Sequence, residues 1–340
     1  MVNWNILRCP ACLGKGAIYE DRWDCGSCGR SYPRYGRVID FRISDPRMDL
    51  SFAHETAKRK EIERIDRALD VARGGTLADM VSNYFAEFPT SKSIEEGEGR
   101  TLLSADVNAK KWLVQIEHDI PLGTLASRKD TAYLEVGCGA AGLTRTLGRT
   151  FQTAVAMDAD IDRMMIAQKA CEEAGIENAI LVCAFGEQMP FSPGTFDLIS
   201  AVEVLEHVTS QRQFVQGIDS VLREGGYLYL TTPNRFSLGP EPHVNLWGVG
   251  FMPRCWMNRY VQFRIGLPYE GKRNLSYWEL KRLLRGVFGT NARFSGAHPQ
   301  SHSFLSRLAN CLVEIPILRS VIHAIRMGHN VVVGKPAAAQ

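Results

Sequence analysis

No run of the roughly 18 apolar residues that a membrane-spanning helix needs occurs in this 340-residue chain. The opening residues, MVNWNILRCP, also lack the basic stretch and apolar run of a secretory leader. A cytoplasmic, non-spanning protein is the expectation. Excess charge of either sign is missing too. The formal net charge is +3, charged residues make up 23% and apolar residues 45%, which excludes a disordered or fibrous chain. Acids are scarce in one place: residues 251 to 340 hold thirteen Lys or Arg against three Glu, a net of +10 that leaves −7 for the rest. That imbalance points to an anionic partner, whether a phosphorylated acceptor, an acidic membrane surface or nucleic acid, or else to a solvated basic face.

Cysteine is plentiful, and its spacing is informative. Of nine cysteines, Cys9, Cys12, Cys25 and Cys28 form C-x2-C-x12-C-x2-C, while the other five are scattered, as suits a reducing compartment. Two such knuckles supply four thiolates for a closed, structural zinc site. A segment this short has little core of its own, so the metal would supply much of its folding free energy. Continuing to RYGRVIDF, it resembles the small zinc-ribbon protein that activates several tRNA and translation-factor methyltransferases, a module also fused to the front of bacterial methyltransferases. Residues 1–42 are therefore expected to form a separate zinc ribbon. Residues 43–128 show helical spacing in HETAKRKEIERIDRALDVA and TLADMVSNYFAEF, broken at Gly74 and Gly75 and by the polar run SKSIEEGEGR. They read as a helical linker or cap.

From Ala132 onward, AYLEV, TAVAM, AILVCA, FDLISAV and YLYLTT alternate with helical segments, the pattern of an α/β doubly wound sheet. Gly137, Gly139 and Gly142 satisfy G-x-G-x-x-G at the end of the first strand, where backbone can approach a ligand at a helix start. Asp158 ends the second strand, placed to accept from ribose hydroxyls. A nicotinamide enzyme could show both features. Glu135, two residues before the first glycine, would face an ammonium group better than a pyrophosphate. With CAFGEQMPFSPGTFDLI and AVEVLEHV, residues 130 to 235 look like a class I S-adenosylmethionine-dependent methyltransferase. The resemblance implies a seven-stranded Rossmann-like sheet whose last pair is antiparallel. It also implies a cofactor site in which Glu135 and residues 137 to 142, Cys138 among them, take the methionine moiety. Asp158 with Ala159 would take the ribose, and Phe185 with Gly186 the adenine. Many family members carry Asp where this chain has Phe185, which implies apolar or backbone contacts to adenine here.

EVLEHV offers Glu203, Glu206 and His207, which share a face if the strand turns into a helix. His243 follows in the loop after the fifth strand, and such loops border active sites in these folds. The E-x-x-E-H segment with a later His resembles the ubiquinone-pathway O-methyltransferases and the plant small-RNA 2′-O-methyltransferases. That implies a divalent cation, Mg2+ or another, held by Glu203, Glu206, His207 and His243 and acting on the accepting hydroxyl. The rival for the same residues is metal-free work by Glu206, His207 and His243 on the acceptor's proton.

Further on, Ser276 and Glu279 in SYWELKRLL form a capping-box pattern, so a helix runs to about Phe288. A strand near ARFSGA and a last one at VVVGK enclose a helical insertion at about 300–328. There Phe304, Leu308, Leu312 and Ile315, then Leu318, Ile322 and Ile325, are expected on apolar faces, with Arg307, Arg319, His323 and Arg326 elsewhere. A basic amphipathic helix of this kind can rest on an anionic bilayer. Residues 129–340 are thus expected to form a methyltransferase domain acting on a hydroxyl of a small acceptor, such as a sugar or phenolic unit of a secondary metabolite or envelope glycan, anionic or lipid-linked. RNA methylation is the rival activity, disfavoured by a ribbon with six basic and four acidic residues in its first forty and no basic-aromatic interleaving. A non-catalytic, partner-recruiting ribbon protein is the third reading. Oligomeric state is not readable.

Overall fold

The computed structural model describes residues 3–42, 52–88, 92–295 and 322–337. Five parallel strands form its centre: β5 (Ala132–Val136), β6 (Thr153–Asp158), β7 (Ala179–Cys183), β8 (Phe196–Val202) and β9 (Leu222–Pro233). β10 (Ala292–Phe294) and β11 (Gly328–Gly334) complete it, β11 lying antiparallel between β9 and β10. The resulting order β7-β6-β5-β8-β9-β11-β10 is doubly wound about β5. Every residue of β5 and β7 is buried, which explains their unbroken apolar runs: helices cover both faces of a parallel sheet. α6 (Gly142–Leu147), α7 (Ile161–Glu173), α8 (Gln211–Val221), α9 (Arg254–Ile265) and α10 (Tyr277–Phe288) belong to this domain.

The first forty residues are not the separate unit expected from their spacing. β1 (Gly16–Ile18), β2 (Arg22–Cys25), β3 (Ser31–Tyr35) and β4 (Val38–Asp40) extend the same sheet, because β4 pairs in parallel with β7, Val38 opposite Leu181 and Asp40 opposite Cys183. The physical reason lies in Val38, Ile39 and Phe41, all essentially inaccessible. A forty-residue module cannot cover so much apolar surface alone. Trp23, Tyr32 and Phe41 pack as an aromatic trio with centroids 5.0 to 5.9 Å apart, continuous with the core under the main sheet.

Between ribbon and domain lie α1 (Phe52–Gly74), α2 (Leu77–Glu87), α3 (Lys92–Leu103), α4 (Ala105–Asp119) and α5 (Leu122–Ala126). SKSIEEGEGR was expected to interrupt the helices; instead its residues from Lys92 to Arg100 lie in α3. Gly99 there lies beside α2, where a Cβ would make only ordinary contact with the Phe85 ring at 3.4 Å. α1 and α2 pack on α7, where Arg64 pairs with Asp162 at 3.1 Å, and buried residues of this layer share a core with Cys138, Ala140 and Ala141. The layer thus packs on α7 and behind the loop at residues 138–141.

Most of the expected insertion at 300–328 lies outside the described residues. In the part that is described, His323 is buried, its ring stacked on Tyr277 at 5.5 Å, while Ile325 is exposed, the reverse of the expected faces. The Tyr277 ring gives His323 a flat partner that keeps the polar imidazole inside. Among the described residues no helix is long and apolar enough to cross a membrane.

Candidate active site

β5 delivers the chain into the glycine loop. Gly137 and Gly139 have φ of +69° and +51°, a region that disfavours side chains. A Cβ on Gly137 would also collide with Val204, whereas one on Gly139 meets nothing within 4 Å, so the loop faces open space there. Gly142 closes the loop from behind: its Cβ would stand 2.5 Å from the Ala105 carbonyl oxygen at the start of α4.

Glu135 does not reach toward a ligand. Its carboxylate accepts from the N–H groups of Leu143 and Thr144 (3.1 and 2.6 Å) and from the Thr144 hydroxyl (2.6 Å). It therefore caps α6 and fixes the loop, a positioning role that the sequence did not reveal. Both oxygens are consumed because three donors at the helix start would otherwise be buried unpaired. Cys138 likewise turns its thiol inward against Met164 Sδ, 3.6 Å away, because the apolar core beneath the loop takes the sulfur, and leaves only backbone on the loop. Asp158 accepts from Gly139 N–H and Asp160 N–H, each at 3.0 Å, and stays partly exposed beside the exposed Ala159. Burial raises its pKa. At the end of β7, Phe185 is exposed and Gly186 lies against the Phe214 ring, where a Cβ would come within 2.6 Å. Except for the side chains of Glu135 and Cys138, the expected cofactor residues converge at the ends of β5, β6 and β7.

The second cluster follows β8. Residues 203–207 form a turn rather than the helix that the E-x-x-E-H spacing suggested: Glu203 has φ +54° and His207 N–H donates to the Val204 carbonyl at 2.9 Å. Val204, at the front of this turn, is the residue that Gly137 abuts, so the two loops adjoin. Glu203 bends away, and its carboxylate accepts from Thr231 Oγ1 at 2.9 Å. It therefore does not join the convergent set of Glu206, His207 and His243, whose ligand atoms lie within 4.8 Å of one another.

Glu206 is 1% exposed. One oxygen accepts from Thr232 Oγ1 at 2.9 Å; the other, Oε1, has no hydrogen-bond partner among the described residues. It lies 3.9 Å from His207 Nε2 and 4.0 Å from His243 Nε2, and the two nitrogens are 3.2 Å apart. A point equidistant from these three atoms lies about 2.2 Å from each, within the range of roughly 2.0–2.2 Å for nitrogen and oxygen on zinc. Burial, and then the neighbouring Glu203, push Glu206 up to about 7. Burial and His243 hold His207 at about 4, so its ring is neutral at pH 7 and offers a lone pair, although a group so acidic takes up a proton poorly.

Sequence reading missed the residue that organises His243. Glu241 accepts from His243 Nδ1 at 2.6 Å, which puts the proton on Nδ1 and turns the Nε2 lone pair to the cluster. It also accepts from His243 N–H, Val244 N–H and Asn274 Nδ2, building the turn that carries the histidine. The available signal was PEPH, an acid two residues before the histidine. Alongside the turn, joined through Gln211 Nε2 to the Leu205 carbonyl, runs a groove of 610 Å³ that includes Arg212, Arg273, Trp278 and Arg282.

The four ribbon cysteines also converge. Cys9 and Cys28 sulfurs are 3.7 Å apart, Cys12 and Cys25 sulfurs 3.5 Å, close to the edge of about 3.8 Å of a tetrahedron with 2.3 Å zinc–sulfur bonds. Burial raises the Cys25 thiol, but N–H groups of Cys28 and Ser27 outweigh it and bring it to about 6.

A family model described as a methyltransferase domain matches residues 134–230, from β5 through β9. Residues 134–230 are a class I S-adenosylmethionine-dependent methyltransferase domain. Similar to this chain is the mitochondrial ubiquinone biosynthesis O-methyltransferase of Mus musculus, 37% identical over 109 residues, 31% of this chain and 29% of that one. The bacterial enzyme of that name from Methylococcus capsulatus is 30% identical over 112 residues, 33% and 46% of the two chains. The chain therefore spans less than half the length of either relative. Among solved structures, a phosphoethanolamine N-methyltransferase of Haemonchus contortus in complex with S-adenosyl-L-methionine aligns over 67% of this chain and 52% of that one, at 12% identity and a TM-score of 0.45.

Proposed function

We propose that this protein transfers the methyl group of S-adenosylmethionine to a hydroxyl oxygen of a small acceptor, a sugar or phenolic unit, with a divalent cation held by Glu206, His207 and His243. The observation that carries the reading is the orphaned Glu206 Oε1 facing the Nε2 atoms of His207 and His243 beside the turn that touches Gly137. Similarity to O-methyltransferases of ubiquinone biosynthesis supports the choice of oxygen. In the reaction the sulfonium gives its methyl to the oxygen and becomes a thioether, while the hydroxyl proton is released. When bound, the cation would lower the acceptor's pKa and orient it.

The chain's own residues do the positioning. The glycine loop presents backbone to the donor, and Glu135 keeps that loop rigid. Asp158 offers a carboxylate to hydroxyls. Glu241 and Thr232 hold His243 and Glu206 in register. Arg212, Arg273 and Arg282 in the adjoining groove favour an acceptor that carries negative charge. Cys9, Cys12, Cys25 and Cys28 hold a structural zinc, in keeping with a reducing, cytoplasmic setting.

Turnover should be lost with EDTA and restored by one divalent ion while ribbon zinc is retained. Glu206→Ala and His243→Ala should each lower the rate about a hundredfold or more, with donor binding by calorimetry unchanged. Rates untouched in both variants would refute the cation site. No heat of binding with S-adenosylmethionine or its demethylated product would refute the reaction itself.

A further inference from the structure

α9 is built inside out. Its inward face consists of Met257 and Val261, which pack with Val249 and Tyr269, while its largest apolar residues point to solvent: Trp256 is 58% exposed and Phe263 87%. They stand seven residues apart, two turns along one face, with Arg259 on the turn between them. The loop before α9 continues the surface. Trp247 is 63% exposed and stacks on the half-exposed Phe251 at 6.2 Å, and Tyr260 on α9 donates its hydroxyl to the Trp247 carbonyl at 3.0 Å. Leu238 and Leu267 are exposed at its two ends. Single exposed apolar residues are ordinary, but a contiguous set of this size marks a surface that meets something.

Charge identifies what it meets. Residues 242–269 contain three arginines and no acid. Arg254 is taken by Glu279, and the next acid, Glu270, is held by Asn258, but Arg259 and Arg264 remain exposed without a carboxylate partner among the described residues. Arg264 lies over the Tyr260 ring at 6.0 Å, and aromatic side chains interleaved with arginines that meet no carboxylate suit the headgroup layer of a bilayer, where rings enter the acyl boundary and guanidinium groups meet lipid phosphates. A second copy of this chain would bring Arg259 and Arg264 against the same cations unless the copies were offset. We infer that the Trp247–Phe251 loop and α9 dock this protein on an anionic membrane surface. The expected amphipathic contact at 304–326 is a different segment.

Docking is independent of the proposed reaction and is tested without donor or acceptor. The full zinc-loaded chain should co-sediment with vesicles of phosphatidylcholine mixed with phosphatidylglycerol and little with phosphatidylcholine alone. Trp256→Ser with Phe263→Ser should weaken binding about tenfold or more. Arg259→Glu with Arg264→Glu should weaken it by a comparable factor or more on mixed vesicles, since each cation contributes about fivefold. Both variants should keep the parent's melting temperature. Failure of the parent to bind mixed vesicles, or equal binding by the Trp256/Phe263 variant, overturns the inference. So does a parent that sediments as a dimer while that variant is monomeric, since the face would then join two copies.

Discussion

Glu135 illustrates how a side chain can serve a site by holding the loop that forms it. Three donors of α6 converge on its carboxylate, yet burial still lifts it to about 7 from an ordinary value of 4.5. Between those values the folded chain holds a proton that the unfolded chain gives up, so this residue's contribution to stability is present at low pH and declines as pH rises through that window. Glu135→Gln should remove that slope. Denaturant titrations at about pH 5 and about pH 7.5 should show the parent losing more stability than the variant on going up. Equal losses would mean that the carboxylate is charged throughout. In sequence, Glu135 was legible as important but not in its role, since nothing in EVGCGAAG says which way the carboxylate turns. Glu241 was missed for a related reason: its effect on His243 depends on a turn that it builds itself.

At the scale of elements, α10 is the clearest case of sequence determining structure. Ser276 and Glu279 form the reciprocal cap that their spacing predicts, and the helix ends at Phe288. Burial raises Glu279, but the Ser276 N–H, Arg254 and the Ser276 hydroxyl outweigh it and hold the carboxyl at about 2. Its support is therefore complete above about 4.5 and fades as pH falls toward about 2. Ser276→Ala should cost about 1 kcal/mol in chemical denaturation. A loss near zero would show that packing of Tyr277, Leu280 and Leu284 suffices without the cap. The strands were equally readable, because residues buried on both faces must be apolar in unbroken runs. α3 was not readable: its glycines break helical patterning locally, and only Gly99 sits beside α2 while Gly97 faces open space. At 203–207 the E-x-x-E-H spacing left a helix open as a condition for a shared face; the chain turns instead, and the left-handed backbone at Glu203 leaves no trace in the sequence.

For the whole molecule, ribbon and catalytic sheet share one core, so zinc should matter beyond residues 1–42. Stripping it with a strong chelator should lower Tm and speed amide exchange in β7 as well as in β1–β4. Unchanged protection in β7 after complete zinc loss would show that β4 is held by its own packing. The register that joins Val38 to Leu181 also sets an order of events. During synthesis the first forty residues leave the ribosome some 140 residues, or roughly 7–28 s, before the strand they dock on exists. Over that interval, cysteines gripping an ion can keep the module folded while Ile39 and Phe41 stay uncovered. The ion would then act as an internal placeholder, keeping the end of the chain in shape until its seat is made.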